Sequence, residues 1–429
     1  MSPTRDEIVA LDKRHVWHPY TPMQEYMATG RPLVIARAEG ARLHDVDGRT
    51  YLDGNSSWWV AGLGHNHPRL VRALTEQAAR LCHASLAGVT HEPAALLAAE
   101  MAAVAPAGLS RVFFSDDGST AVEVAAKMAV QLFHQNGQPR KRRLVALEGA
   151  YHGDTVGATS LGGVEVFRQP FGALLFDVVR VPSPAEFGEA FAGIERAMAA
   201  AADEIAAVFV EPIVQGAAGM RIYAPEYLAR LRELCTRHDV LLVADEVFTG
   251  YGRTGPMWAC DHAGIAPDLL CTAKSFSGGM LPMAATLATE RVFAGFLGGR
   301  ERAFMHGHSF TGNPLGAAVA REVLAVFRDE DVLARAQAKA LRLRAAVEEL
   351  APRLGPERCR QIGMIAACDL GGAGYLGGIG WRVYEEALAR GAYVRPLGDT
   401  VYLAPPLNID DGDLERLCSI FVESIRAAL

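Results

Sequence analysis

"PDLLCTAKSFSGGMLP", residues 267–282, runs from apolar residues into a single lysine and then into two glycines. Leu269-Leu270-Cys271 reads as a buried strand, and a lysine seldom stands at the buried end of one. The ordinary explanation for Lys274 is a side chain whose stem packs while its amine reaches water. Two other segments argue against that explanation. "VLLVADEV" (240–247) is again an apolar run, ending on an acid, Asp245. "RVFFSDDGSTAVEVAAKMA" (111–129) runs from strand pattern through a short Gly-Ser turn into helix pattern.

Helix and apolar-strand patterns alternate from about residue 75 to 320. "TAVEVAAKMAVQLFHQ" (120–135) has helical spacing, and "RRLVALEG" (142–149), "FDVVRVP" (176–182) and "IAAVFVEP" (205–212) read as strands. "AMAAAADEIAA" (197–207) reads as an ordinary alanine-rich helix. "APEYLARLRELCTRHD" (224–239) places Pro225 in a first helical turn. Nearly continuous apolar strands alternating with helices predict an α/β fold, with a mostly parallel sheet covered on both faces.

The last hundred residues read differently. A long helix (331–351), "CRQIGMIAACDL" (359–370), a helix at 381–391 and short strands near 393–406 give an α+β pattern. The first 70 or so residues, including "ARLHDVDGRTYLDG" (41–54), read as short strands and turns packing with that C-terminal part. The expected division is therefore 1–75 as an N-terminal segment joined to the small domain, 76–320 as the large domain, and 321–429 as the small C-terminal domain.

Half of the 429 residues are hydrophobic and 21% are charged, which suits large buried cores. The 49 acidic residues against 42 basic ones leave a net charge of −7, with no basic block to favour nucleic acid or an anionic membrane. No apolar run approaches a membrane span, and "MSPTRDEIVALDKRHVWHPY" lacks the apolar core of a signal peptide. Seven scattered cysteines without a C-x-x-C pair imply reduced thiols, hence a cytoplasmic expectation. His65 and His67 in "GHNHP" form a lone H-x-H pair with no third ligand in view, so no metal is expected.

In open α/β sheets, ligands sit outside the carboxyl ends of the strands. A helix N-terminus there offers free backbone N–H groups and the positive end of a dipole, which suit a phosphate. Gly118 allows close approach, and Ser119 and Thr120 can donate hydroxyls; plain N-capping by Asp117 or Ser119 is the competing reading. There is no G-x-x-x-x-G-K-[ST], and no G-x-G-x-x-G after a first strand, so nucleotide hydrolysis and nicotinamide binding lack a motif. A phosphate site, a buried acid and a strand-end lysine together suggest pyridoxal phosphate. Lysine alone supplies the primary amine for a Schiff base with the aldehyde, and an acid keeps the ring nitrogen protonated.

"VFVEPIVQGAAGM", "LLVADEVFTGYGRTG", the Lys274 segment and "HGHSFTGNPLGAAVA" (307–320) resemble the fold-type I, subgroup III aminotransferases over nearly the entire chain. The resemblance implies a homodimer with active sites at the subunit interface. It implies Lys274 as Schiff-base lysine and proton carrier, Asp245 on the pyridine nitrogen, and Gly118 and Ser119 as phosphate ligands. Tyr151, in "GAYHGDT", would lie on or beside the cofactor ring with a part in catalysis. His308 and Ser309 would close over the phosphate from the neighbouring subunit.

"WHPYTPM" (17–23), "DGNSSWWVAGLGHNHP" (53–68) and "GAYVRPLGDTVYLAPP" (391–406) resemble the branch serving biotin biosynthesis, which moves an amino group from S-adenosylmethionine to 8-amino-7-oxononanoate. That acceptor is a methylene chain ending in a carboxylate, so it needs an apolar channel and a distant cation. Trp58 and Trp59 can supply channel wall, and Arg395 can bind the carboxylate bidentately. Tyr20 offers a flat face for adenine, and the resemblance adds Tyr151, Lys274 and Gly307 to the substrate-binding positions. A Trp pair in the core and a surface ion pair at Arg395 are the competing readings. Glutamate-using members read E-P-I-Q-G-E-A-G, whereas here Ala217 cannot form the second glutamate's ion pair, and Phe248 stands where a Gln is frequent. "HGHSF" (His308, Ser309) resembles relatives that use lysine as donor, so L-lysine stands as the alternative to S-adenosylmethionine. Another subgroup III omega-aminotransferase, or an aminomutase or decarboxylase on the same scaffold, also remains open.

Overall fold

The computed structural model describes residues 3–429; Met1 and Ser2, which begin the 1–75 segment, lie outside the described residues. Its centre is a seven-stranded sheet in the order Leu109–Ser115, Ala284–Thr289, Leu269–Thr272, Leu241–Asp245, Ile205–Val210, Arg143–Leu147, Val179–Val181. Ile205–Val210, Leu241–Asp245 and Leu269–Thr272 are buried at every position, as strands covered on both faces must be. The sheet is parallel except for Ala284–Thr289, which runs antiparallel to both of its neighbours. Leu109–Ser115 therefore points the same way as the other five strands, and its Ser115 end faces the same edge.

Helices cover both faces for a legible reason. Pro225–Arg237 opens on proline and buries Tyr227, Leu228, Leu231, Leu234 and Cys235, a stripe at 3.6-residue spacing. Gly118–Gln135 buries eight small and apolar residues from Ala121 to Phe133 against the strands. Each large apolar side chain so buried contributes about 1.5–3 kcal/mol.

The C-terminal part holds the helices Val332–Leu354, Ile379–Ala389 and Asp411–Ala428. They flank a three-stranded sheet in which Ile365–Asp369 lies between Cys359–Ile362 and Thr400–Leu403. A further sheet joins Ile35–Glu39, Arg42–Asp45 and Thr50–Asp53 to Ala392–Tyr393, so both ends of the chain share one sheet.

Two readings of the sequence need correction. The alanine-rich helix ends at Ala201 instead of running through 207, because Ile205 already begins a fully buried strand. The first residues hold two helices, Arg5–His15 and Met23–Thr29, where short strands and turns were expected. Arg5–His15 buries nothing and so carries no apolar stripe; its signal is the Thr4/Glu7 capping box. Among the described residues, no helix is long and apolar enough to cross a membrane.

Candidate active site

The carboxyl ends of the central strands converge on one edge of the sheet. Asp245 ends its strand, Glu211 follows Val210, and Lys274 stands two residues beyond Thr272. The helix Gly118–Gln135 starts just past Ser115. Together they line a cavity of about 590 Å³, a size suited to a small ligand. Of the residues singled out in the sequence, Tyr20, Trp58, Trp59, Gly118, Ser119, Tyr151, Asp245 and Lys274 all line it.

Lys274 does not snorkel to the outer surface. Its backbone is left-handed (φ 52°), a strained state for a residue with a side chain, and its amine lies 4.7 Å from the ring centroid of Trp59. Burial pushes its pKa down to about 8, with the negative charges of Asp245, Glu211 and Asp154 opposing the shift. A substantial neutral fraction at ordinary pH is what a lysine nucleophile needs.

Asp245 is fixed from two sides: Nδ1 of His152 lies 2.8 Å from its Oδ2, and the Val247 N–H donates to its Oδ1 at 3.0 Å. Both side chains are buried, and His152 Nε2 has no hydrogen-bond partner. Glu211 accepts from the N–H groups of Tyr151 and Gly216, each at 2.9 Å. Burial pushes its pKa up to about 7, with His152 lowering it and Asp245 raising it.

The Gly-Ser turn serves two purposes. Asp117 caps the helix by accepting from the Thr120 N–H (2.8 Å), while Thr120 Oγ1 accepts from the Asp117 N–H (3.1 Å). This box leaves the N–H groups of Gly118 and Ser119 free for an anion. A Cβ on residue 118 would come within 2.7 Å of Val247 Cγ1, so glycine is required for this close approach. The donor set fits a phosphorylated pyridine aldehyde: a helix N-terminus for the phosphate, a buried carboxylate for a ring nitrogen and a low-pKa amine for the aldehyde carbon.

An aromatic wall completes the cavity. Ser56, Ser57, Trp58 and Trp59 have φ of 48°, 48°, 66° and 74°, a left-handed turn made without glycine. Buried anchors hold it. The Ser57 N–H donates to Asp53 (2.7 Å), Ser56 Oγ donates to the Ala404 carbonyl (2.7 Å), and Trp59 Nε1 donates to the Tyr402 hydroxyl (3.0 Å). Tyr20 packs edge-on against Trp58, and its hydroxyl meets Tyr151 Oη (3.1 Å) and the Asp154 carboxylate. The Tyr151 hydroxyl donates to the same carboxylate at 2.7 Å. Arg395 is not among the residues lining the cavity; its guanidinium lies 4.6 Å from the Trp58 ring centroid. Ala217 and Phe248 also line the cavity.

Gly307, His308 and Ser309 are not brought to this cavity within one chain. They line a second one with Ser85 and Phe113, where His308 Nε2 lies 3.4 Å from Asp116 Oδ1. The H-x-H pair is split: His65 sits 2.8 Å from Asp53, and His67 sits 3.4 Å from Glu330. His152, Asp154, Glu211, Phe167 and Tyr375 also line the cavity, without having been expected there. The position of His152 next to Tyr151, and of Glu211 at a strand end, were the available signals.

The family model for class-III aminotransferases matches residues 25–425. An adenosylmethionine-8-amino-7-oxononanoate aminotransferase of Nitratidesulfovibrio vulgaris is 44% identical, over 98% of this chain and 81% of that relative. The crystal structure of an enzyme of the same name from Methanocaldococcus jannaschii superposes with a TM-score of 0.95 at 35% identity, covering 99% of each chain. The omega transaminase of Pseudomonas jessenii in complex with PMP superposes with a TM-score of 0.92 at 28% identity, over 98% of each chain. With the strand-end lysine, the acid and the helix N-terminus gathered at one edge of a mostly parallel sheet, the chain belongs to the class-III aminotransferases.

Proposed function

We propose that this enzyme transfers an amino group from S-adenosylmethionine to 8-amino-7-oxononanoate, giving 7,8-diaminononanoate for biotin synthesis, with pyridoxal phosphate as cofactor. The observation that carries the reading is one cavity. It joins Lys274, Asp245 and the Gly118–Ser119 helix end to a wall of Tyr20, Trp58 and Trp59, with the Arg395 guanidinium against Trp58. The names of full-length relatives at up to 45% identity support the same substrates.

When bound, pyridoxal phosphate supplies an aldehyde that takes up an amino group and a protonated ring that accepts electron density. The chain's own residues do the rest. Gly118 and Ser119 would hold the phosphate with backbone N–H groups. Asp245, aligned by His152, would keep a proton on the ring nitrogen. Lys274 would hold the cofactor between turnovers, and its amine would carry the proton removed from the substrate carbon. Trp58 and Trp59 exclude water along the methylene chain of the acceptor, and Arg395 binds its carboxylate. Tyr20, tied to Tyr151 through Asp154, presents its ring to both substrates. Ala217 leaves no carboxylate for the switching arginine of glutamate-using members, which favours a donor other than glutamate.

The working unit is a homodimer. Exposed Val89, Met305 and Phe310 flank the second cavity, which supports an apolar contact there, with Gly307, His308 and Ser309 serving the neighbouring subunit's site. Residues 1–75 and 321–429 act as one lobe and 76–320 as the other, a division that the shared sheet of Thr50–Asp53 and Ala392–Tyr393 supports. Seven free thiols agree with a reducing cytoplasm. His308-Ser309 keeps L-lysine as the second candidate donor. The test is to mix the yellow holoenzyme with S-adenosylmethionine or with L-lysine alone and follow the visible spectrum. Conversion to the amine form by S-adenosylmethionine supports the reading; conversion by lysine only would replace it with the alternative.

A further inference from the structure

Cys359 and Cys368 are direct cross-strand partners in the antiparallel pair Cys359–Ile362 and Ile365–Asp369, and their Sγ atoms lie 3.6 Å apart. Directly opposed residues in such a pair have Cα atoms about 4.5–5.5 Å apart. That falls inside the range of about 4.4–6.8 Å that a disulfide spans. Side-chain rotation alone can therefore close the bond, with the backbone left in place.

We propose that Cys359 and Cys368 form a redox-modification site, a dithiol that converts reversibly to a cross-strand disulfide. The two thiols are unequal in ways that assign their roles. Cys359 stands on the outer strand of its three-stranded sheet and is half-buried, whereas Cys368 is wholly buried on the middle strand. The Cys368 thiol donates a hydrogen bond to Cys359 Sγ, and the neighbouring Arg360 adds positive charge; both hold the Cys359 pKa below the usual thiol value. Cys368 is shifted up, by that same bond and by burial. Cys359 is the attacking thiol and Cys368 the resolving one.

The oxidant is a small-molecule disulfide, RSSR. The Cys359 thiolate attacks one of its sulfurs, the S–S bond breaks, and RS⁻ leaves and takes up a proton. Cys368 then attacks Cys359 Sγ and expels the second RS⁻, which takes up the proton that Cys368 gives up. Overall, two cysteine thiols are oxidised and one RSSR is reduced to two RSH.

Among the described residues, no other pair is so placed. Cys235, Cys260, Cys271 and Cys418 are buried with raised pKa values, and Cys82 is exposed. The position also bears on the catalytic cavity. Next to the two cysteines, Arg360 and Asp369 form an ion pair, and Arg360 donates to the carbonyls of Gly219 and Met220. That loop includes Ala217 of the cavity wall. The new bond would pin the strands beside this clamp.

The test equilibrates the full-length holoenzyme with graded mixtures of reduced and oxidised glutathione, then unfolds it in iodoacetamide so that buried free thiols are blocked too, and maps the peptides by mass spectrometry. The expected result is a 359–368 cross-link lacking two hydrogens, half-formed at a definite ratio and fully reversed by dithiothreitol. Cys368→Ser is expected to trap glutathione on Cys359, and Cys359→Ser to leave Cys368 unmodified. Full alkylation of Cys359 and Cys368 at every ratio while Cys82 takes up glutathione would overturn the proposal. So would glutathione that persists on Cys359 of the unmutated chain without being displaced.

Discussion

His152 and Asp245 form a buried pair, Nδ1 to Oδ2 at 2.8 Å, that leaves the carboxylate in one orientation beneath the cavity. A hydrogen bond to a charged group is worth about 1.5–3 kcal/mol, so its loss should be felt at whatever Asp245 holds. His152→Ala is expected to lower kcat by about 10–100-fold and to weaken cofactor retention, with KM for either substrate changed little. Steady-state kinetics and cofactor dialysis measure this. Unchanged kcat would remove His152 from the account.

Lys274 predicts an inverse effect on stability. In the cofactor-free chain its folded pKa is about 8, against 10.5 for an unperturbed lysine. The cost of keeping the buried ammonium is thus full below pH 8 and fades as pH rises towards 10.5. Lys274→Met should make the cofactor-free protein more stable at pH 7, by up to about 3 kcal/mol, with the gain shrinking above pH 8. Urea unfolding across that range tests it, and a gain independent of pH would contradict it.

Arg395 meets the Trp58 ring and does not itself line the cavity that holds Lys274 and Asp245. Arg395→Ala is expected to raise KM for 8-amino-7-oxononanoate by about 10–100-fold, the worth of a charge-assisted bond, while the half-reaction with the amino donor proceeds at nearly its normal rate. Equal losses in both half-reactions would point to a structural role.

The left-handed turn at Ser56–Trp59 makes a prediction from backbone strain alone. Ser57 is exposed, and its φ of 48° is worst tolerated by β-branched side chains. Ser57→Val is expected to cost about 1–2 kcal/mol and to loosen both tryptophans, whereas Ser57→Gly should cost little or nothing. Thermal unfolding, with tryptophan fluorescence as a second readout, separates the two variants.

Lys274 and Asp245 were legible because each terminates a continuous apolar run, and the helix at Gly118 because strand, turn and 3.6-residue spacing follow in order. Ala284–Thr289 was not read as a strand, since "AATLAT" has neither alternation nor bulk, and nothing local sets its antiparallel direction. Asp154, Phe167 and Tyr375 sit in loops or short helical turns far apart in sequence and meet only in the folded chain. Periodicity carries no information about such meetings. The turn at Ser56–Trp59 was hidden for another reason: its strain is held by Asp53, Tyr402 and Ala404, two of them more than 340 positions away. Gly307, His308 and Ser309 do not line the Lys274 cavity within one chain, and the role proposed for them in a neighbouring subunit rests on a contact that no pattern along a single sequence displays.

The central claim is that the Lys274 amine carries the cofactor. Borohydride reduction of the holoenzyme, followed by digestion and mass mapping, reads this directly. One pyridoxyl group is expected on the peptide spanning Lys274, and none on any peptide of Lys274→Ala. A pyridoxyl group on another lysine, or its persistence in that variant, would contradict it.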